Sequence, residues 1–272
     1  MPEGDTIFRT AATLRRAVGG AEVTAASANV RSVRDLGVDR LVGQRIGEIE
    51  PRGKHLLCWF EPSGLALHTH MMMSGSWHLY RPGERWRKPA RFAKVTLSTG
   101  DWDAVCFSAP VVALLSAEQV ARHPALTQLG PDALDDGVDL TEAGVRFAAL
   151  ADKTVGEALL DQRVLAGVGN VYRCEVLFLH RLDPWTPVGQ LDATTRAEVL
   201  ATAARLLKEN VASGSPRRVT TGRWDGRGDR LHVYGRARRP CPRCATPIAV
   251  ARQGSQARVT YWCRRCQGPG RR

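Results

Sequence analysis

Lysine is nearly missing from this chain: five Lys stand against 34 Arg in 272 residues. Long apolar runs are missing too. No stretch approaches the ~18 consecutive apolar residues that a bilayer-spanning helix needs, so no membrane span is expected. The start, Met1-Pro2-Glu3-Gly4-Asp5, is acidic and has no basic segment with an apolar stretch behind it. A secretory leader is therefore not expected. There is no internal repeat, and the composition excludes collagen, coiled coil and low-complexity classes. With 43% apolar and 24% charged residues, the chain can bury an ordinary globular core. Its length suits one large domain or two of ordinary size.

What is present is unevenly spread. The formal net charge is +12, yet residues 1–212 hold 24 basic against 25 acidic residues. Residues 213–272 hold fifteen Arg and two Asp, a balance of +13. Arg has the planar fork that suits phosphate. The C-terminal segment therefore reads as a nucleic-acid surface, with a solubilising basic tail as the alternative. Four of the seven cysteines form Cys241-x2-Cys244-x18-Cys263-x2-Cys266. Two such knuckles at this separation have zinc-ribbon spacing, each turn bringing two thiolates to one side of a metal. Two redox dithiols or two disulfides would need a different context: no thioredoxin-like βαβ surrounds them, and the other three cysteines do not read as a disulfide framework. One structural Zn2+ is expected. Arg264 and Arg265, inside the second knuckle, would stabilise thiolates and face DNA. Cys58, Cys106 and Cys174 lie in apolar runs and read as small buried residues. This usage suits a reducing compartment, and a cytoplasmic location is expected.

Periodicity divides the chain. Ile7, Ala11, Leu14 and Val18 recur at helical spacing, so residues 5–19 should form a helix that Gly19-Gly20 ends. From 21 to about 115 the pattern is short and β-rich: 45–49, 56–60, 65–69, 77–80, 93–98 and 104–107, separated by Gly, Pro and Asp. A β-sandwich or barrel behind one helix is the simplest reading. Breakers make 116–135 a linker. Helices are expected over 141–150, 154–162, 171–180 and 192–212, with Asp192 as an N-cap. Residues 213–230 should be a loop before the zinc ribbon.

Three features carry chemistry. The turn Ala166-Gly167-Val168-Gly169-Asn170 lets the backbone bend tightly. It delivers Asn170 to a helix start, where free N–H groups can hold a phosphate. A plain helix–helix connection has the same pattern. Pro2, once Met1 is removed, would expose a secondary amine. An α-amino group is far less basic than Lys, so a usable fraction is unprotonated at neutral pH. Such an amine can attack a sugar C1′ and form an iminium. Glu3 beside it could handle a proton. Lys54, at a turn entering an apolar strand, is solvated, binds a phosphate or serves as an acid/base.

Together these residues resemble the formamidopyrimidine-DNA glycosylase/endonuclease VIII family of base-excision repair enzymes. The resemblance runs through the whole chain in order: Met1-Pro2-Glu3-Gly4; Arg52-Gly53-Lys54; His70-Met71-Met72-Met73-Ser74-Gly75; Leu129-Gly130-Pro131-Asp132; Asp161-Gln162 through Gly167–Tyr172 and Glu175; Val233-Tyr234-Gly235-Arg236; and the ribbon from Arg258 to Gln267. It implies an α+β multidomain fold: an N-terminal catalytic β-sandwich with a leading helix over 1–120, a helical helix–two-turn–helix DNA-binding domain over 121–228, and a zinc finger over 229–272. It implies a monomeric enzyme, a bifunctional glycosylase and abasic-site lyase, acting on damaged DNA. Pro2 would be the Schiff-base nucleophile and Glu3 the proton donor. Lys54 would act in β-elimination and contact phosphate. Asn170 would hold the phosphate beside the lesion. Arg258, at the finger tip, would hold the same backbone and assist δ-elimination. Met72 and Met73 would fill the gap left by an extruded nucleotide.

Departures point to a branch. The purine-lesion enzymes carry an Asp-Pro-Arg-Arg-Phe-Gly loop where this chain has Ser108–Ala113, and a Lys in the segment that here reads Val155-Gly156-Glu157. The chain thus looks closest to endonuclease VIII, and oxidised pyrimidines are the favoured substrates. Met73-Ser74, however, resembles the purine branch. An 8-oxoguanine-type glycosylase and a non-catalytic damaged-DNA-binding protein are the alternatives. Asp5-Thr6 lacks a carboxylate that many relatives carry near the lesion. Gln128 stands where endonuclease VIII has a DNA-contacting Arg.

Overall fold

The helical stripe at the start becomes the buried face of α1 (Gly4–Val18), with Ile7, Ala11, Leu14 and Val18 all in the core. Gly19 ends it because its N–H bonds back to Arg15 O, and a Cβ there would lie 2.5 Å from that oxygen. The computed structural model describes residues 2–28, 37–215, 217–223 and 228–268. The chain divides into two compact units, Met1–Gln128 and Leu129–Arg272.

In the first unit, eight strands form two antiparallel sheets. β1 (Ala25–Ala28), β6 (Ala93–Ser98), β7 (Asp103–Phe107) and β5 (Ser76–Tyr80) make one sheet in that order. β2 (Arg45–Arg52), β3 (His55–Glu61), β4 (Leu65–His70) and β8 (Val111–Ser116) make the other. Leu56, Cys58, Phe60, Leu67, Val95, Leu97 and Cys106 join the α1 stripe in one apolar core. The expected β-sandwich with a leading helix is present. Each of the six expected strands is there, and β1 and β8 are additional. β8 is an unbroken apolar run, Val-Val-Ala-Leu-Leu, without the alternation that marks a half-buried strand.

β3 buries Leu56, Leu57, Cys58 and Phe60 because both of its faces are covered. Leu57 and Ala66, on the face away from the main core, pack with Val120 and Leu126. Those two residues sit on α2 (Ala117–Ala121) and α3 (Pro124–Thr127). The stretch expected as a linker therefore contains two short helices. Ser116 and Gln119 form a reciprocal capping box for α2, and Pro124 opens α3.

The second unit is helical with a β-hairpin. α4 (Leu140–Ala148) is capped by Asp139, and the long α7 (Ala193–Ala212) by Asp192, which accepts from Thr195 N at 2.7 Å. The helix expected over 154–162 is shorter: α5 spans only Val155–Ala158. Beyond it the chain continues in tighter turns, Leu160 N–H bonding Glu157 O and Asp161 N–H bonding Ala158 O. α6 (Asn170–Leu179) is buried on almost every side. Beyond it, β9 (Ala249–Gln253) pairs with β10 (Arg258–Trp262), and α8 (Arg264–Gln267) closes the described chain. Among the described residues no helix is long and apolar enough to cross a membrane.

Glu175 of α6 organises the segment leading to the hairpin. Its fully buried carboxylate accepts from the backbone N–H groups of His232, Val233 and Tyr234 at 2.7, 2.9 and 2.8 Å. It also accepts from the Thr220 hydroxyl. Burial alone would raise its pKa, but the bonds from His232, Thr220 and the backbone outweigh that and hold it below the ordinary value. A depressed carboxyl stabilises the fold above its unfolded pKa, and the benefit is lost as pH falls through the folded value. Glu175→Gln points a donor at backbone donors. It should cost about 2 kcal/mol or more, and calorimetry of the variant against the parent at neutral pH measures this.

Candidate active site

Pro2 is half-buried and stands immediately before the N-terminus of α1. Glu3 is that helix's N-cap residue and is 0% exposed; its carbonyl accepts from Thr6 and Ile7. Pro2 thus stands at a helix start beside a buried carboxylic residue, Glu3. Asp5 is buried as well, but Arg9 engages it at 2.8 Å, so it serves the helix. Lys54 lies in the two-residue turn of the β2–β3 hairpin, where Arg52 pairs with His55. Gly53 has φ +56°, which suits the first central position of such a turn.

The methionine triplet splits by burial. Met71 joins the core, whereas Met72 and Met73 are 47% and 63% exposed. Two contacts pin the loop. Gly75 N–H bonds Met71 O at 2.7 Å, and Ser74 Oγ donates to Ser108 O at 3.1 Å. A Cβ on Gly75 would lie 2.7 Å from Met71 Cα and 3.0 Å from Ala109 Cα, so only glycine allows this closeness. Met72 has φ +46°, a left-handed backbone that costs a residue with a Cβ ~1–2 kcal/mol. Gln128 is exposed at the C-terminus of α3.

In the second unit, Gln162 templates the glycine turn. Its Oε1 accepts from Gly167 N at 3.1 Å while its amide donates to Val168 O. The turn delivers Asn170 to the first position of α6, after Gly169 as N-cap. Asn170 Nδ2 donates to Val259 O at 2.8 Å, and its buried Oδ1 has no hydrogen-bond partner among the described residues. The structure thus brings Asn170 against the strand that begins with Arg258. Arg258 is half-buried, and its Nε and one terminal nitrogen donate to Gln256 Oε1 at 3.1 and 3.0 Å. A cavity of about 400 Å3 lies here, with Lys153, Arg163 and Arg258 among its lining residues. Asp161 is also there. Its hydrogen bond with Arg163 leads the causes that hold its carboxyl at about 2.

Sequence reasoning missed Arg173, which is 0% exposed. It donates to Val259 O at 3.1 Å and Thr260 Oγ1 at 2.7 Å, and no carboxylate bonds it among the described residues. Gln253 completes the group through Thr260, Thr154 and Pro184 O. The available signal was a charged residue on the apolar run of α6.

The four zinc-ribbon cysteines converge. Their sulfurs all lie within 4.8 Å of one another, with separations of 3.4 Å for Cys244–Cys263 and 3.9 Å for Cys241–Cys266. A tetrahedron with ~2.3 Å metal–sulfur bonds has edges of about 3.8 Å. The residues therefore fit one metal ion with four thiolates, and they leave no fifth donor position to a substrate. Cys58, Cys106 and Cys174 are buried, and burial pushes the first two thiols up to about 12.

Family models match in two places: the formamidopyrimidine-DNA glycosylase N-terminal domain over residues 1–110, and the formamidopyrimidine-DNA glycosylase H2TH domain over 129–220. The chain is 44% identical to a probable endonuclease 8 2 of Streptomyces coelicolor, covering 100% of this chain and 96% of that one. It is 40% identical to the DNA-(apurinic or apyrimidinic site) lyase Nei2 of Mycolicibacterium smegmatis, covering 98% and 99%. The chain belongs to the formamidopyrimidine-DNA glycosylase/endonuclease VIII family. A further relative, endonuclease 8 of Escherichia coli, is 34% identical over 98% of this chain and 100% of its own. The fold agrees with a Lactococcus lactis formamidopyrimidine-DNA glycosylase solved on DNA containing an abasic site: TM-score 0.82 at 22% identity, over 97% and 99% of the two chains.

The family departures have physical reasons. Between β7 and β8 only Ser108, Ala109 and Pro110 intervene, so there is no loop to carry the Arg and Phe of the purine-lesion branch. Gly156 is filled by Gln253: a Cβ there would lie 2.6 Å from Gln253 Oε1. Gln253 cannot swing away without losing its bonds to Thr154, Pro184 and Thr260. Gly156→Ala should therefore destabilise the second unit by ~1–3 kcal/mol, measured as a lowered denaturant midpoint.

Proposed function

We propose that this chain is a bifunctional DNA glycosylase and abasic-site lyase that removes oxidised pyrimidines in base excision repair. The observation that carries this reading is Pro2 poised at the N-terminus of α1 beside the buried Glu3. Relatives named endonuclease 8 and abasic-site lyase support it, at 44% and 40% identity over nearly the whole chain.

With Met1 removed, the Pro2 nitrogen bonds C1′ and the bond from C1′ to the damaged base breaks. Glu3 supplies a proton as the sugar ring opens, and the resulting iminium acidifies the C2′ proton. Loss of that proton expels the 3′ phosphate by β-elimination, with Lys54 assisting. A second elimination expels the 5′ phosphate, assisted by Arg258. Met72 and Met73 occupy the space of the extruded nucleotide. Gln128 offers the duplex a neutral donor where endonuclease VIII has an Arg. Asn170 and the first turn of α6 hold a phosphate.

The four cysteines hold one structural Zn2+, which keeps the hairpin bearing Arg258 folded. Fifteen Arg in the last 60 residues supply salt-sensitive grip on the DNA backbone. We read the enzyme as a cytoplasmic monomer whose partner is damaged DNA. The parts are a catalytic sandwich over 1–120, a helical DNA-binding segment over 121–228 and a zinc finger over 229–272.

Borohydride trapping tests the chemistry. The parent enzyme should form a covalent adduct with abasic-site DNA, and Pro2→Gly should abolish it; no adduct from the parent would make the chain a binding protein only. Across a lesion panel, thymine glycol and dihydrouracil should be cut faster than 8-oxoguanine, and the reverse order would reassign the substrate. Removing the metal with a chelator should weaken DNA affinity at least tenfold while leaving the β-sandwich circular dichroism in place.

A further inference from the structure

We propose that His70 is a positioning residue for the Met72–Met73 loop: its Nδ1 accepts the Met72 N–H and so holds the left-handed backbone that projects both methionines. The inference rests on the reading that these methionines fill the gap beside the lesion.

The loop's ends are pinned by Met71, Ser74 and Gly75, but its strained residue is Met72. A left-handed conformation at a residue with a Cβ persists only where its surroundings over-determine it. The Met72 N–H lies 3.2 Å from His70 Nδ1. That nitrogen can accept only if the ring is neutral with its proton on Nε2; a doubly protonated ring has no acceptor.

The surroundings keep the ring neutral. His70 pairs with His55 across β4 and β3, with ring centroids 4.5 Å apart. His55 Nδ1 lies 2.9 Å from His68 Nε2, and His68 packs against His123 from the α2–α3 connection. These four rings form one cluster on the sheet face that α2 and α3 cover. β8 contributes only Val111 and Ala113 opposite His70 and His68. On β2, Arg52 and Glu50 pair with each other at 2.8 Å, and Trp59 also donates to Glu50. Arg122, beside His123, pairs with Glu118. Lys54 adds positive charge. Among the described residues no carboxylate hydrogen-bonds any of the four rings. Burial first, and then Lys54, hold His70 below its ordinary pKa, while His55 and His68 are pushed down to about 3 and 4. The nitrogens do not converge on a metal position: among the described residues only the four cysteines do.

Because the lowered pKa belongs to the folded state, stability from a neutral cluster is complete above the ordinary histidine value and declines as pH falls toward the folded values. Locally, protonating His70 removes the acceptor for Met72. The outcome should be an acid-sensitive loop, lost before the sandwich itself unfolds.

The test uses the full-length enzyme on a duplex with an abasic-site analogue and 2-aminopurine opposite it, read by fluorescence, with borohydride trapping in parallel. Met72→Ala with Met73→Ala comes first: if the fluorescence change survives, the gap-filling reading fails whatever His70 does. If it is lost, His70 decides. His70→Asn puts a carbonyl oxygen near the Nδ1 position and cannot be protonated; His70→Leu has no acceptor. We expect His70→Leu to lose the fluorescence change and at least tenfold in trapping rate, and His70→Asn to stay within threefold of the parent. Lowering pH from 7.5 to the most acid value at which the enzyme stays folded should diminish the parent's signal but not that of His70→Asn. Should His70→Leu not fold, this pH comparison decides alone. A normal signal from folded His70→Leu, an equal defect in His70→Asn, or identical acid loss in parent and His70→Asn would overturn the proposal.

Discussion

The buried polar groups of α6 are what the second unit depends on. Asn170 and Arg173 both donate to Val259 O, and Glu175 accepts from the backbone of residues 232–234. A forty-residue segment is too short to build a sufficient core of its own. Its local apolar cluster is small: Val233, Ile248, Cys241 and Cys263 against Cys174 and Phe178 of the helix. Hydrogen bonds from a rigid helix make up part of the difference. The same bonds decide where Arg258 sits, because β10 is the strand they hold.

The burial of Arg173 without a carboxylate partner has a local logic. A guanidinium carries five donors; here Val259 O, Thr260 Oγ1 and Gln253 Oε1 of the hairpin and Gly156 O of α5 accept from its terminal nitrogens, while its buried Nε has no partner among the described residues. Arg173 borders a cavity whose lining sets Lys153, Arg163 and Arg258 against Glu157 and Asp161, and Asp161 pairs with both Lys153 and Arg163.

The first unit solves a different problem. Its sandwich buries both faces of β3, one under the second sheet and one under α2 and α3. α1 packs into the same core, and at its N-terminus Pro2 is half-buried and Glu3 fully buried. The exposed methionines are the exception to apolar burial in their loop, and they project from a segment locked by Gly75 and Ser74. An exposed flexible apolar pair on a fixed loop suits insertion between bases better than catalysis.

Much of this was legible in the residues. The α1 stripe, the six strands, the Asp192 cap and the cysteine spacing each have a local physical cause, so they survive without tertiary context. β8 and the helices after it were not legible, because an apolar run has no period and α2 and α3 are each a single short turn or little more. The 154–162 helix was overestimated because its last residues form tighter i→i+3 turns, which the apolar spacing does not distinguish from a helix.

The sequence by itself determined the family, the metal-binding spacing and the division of charge along the chain, since motifs and counts need no coordinates. Only the tertiary structure decided that Glu175 and Arg173 are buried anchors, that Gly156 yields its space to Gln253, and that three histidines on neighbouring strands meet a fourth from a helix connection. Those contacts join residues far apart in the chain, such as Glu175 with His232 and Arg173 with Thr260. No local pattern encodes them; packing brings them together, and burial then sets what each group can do.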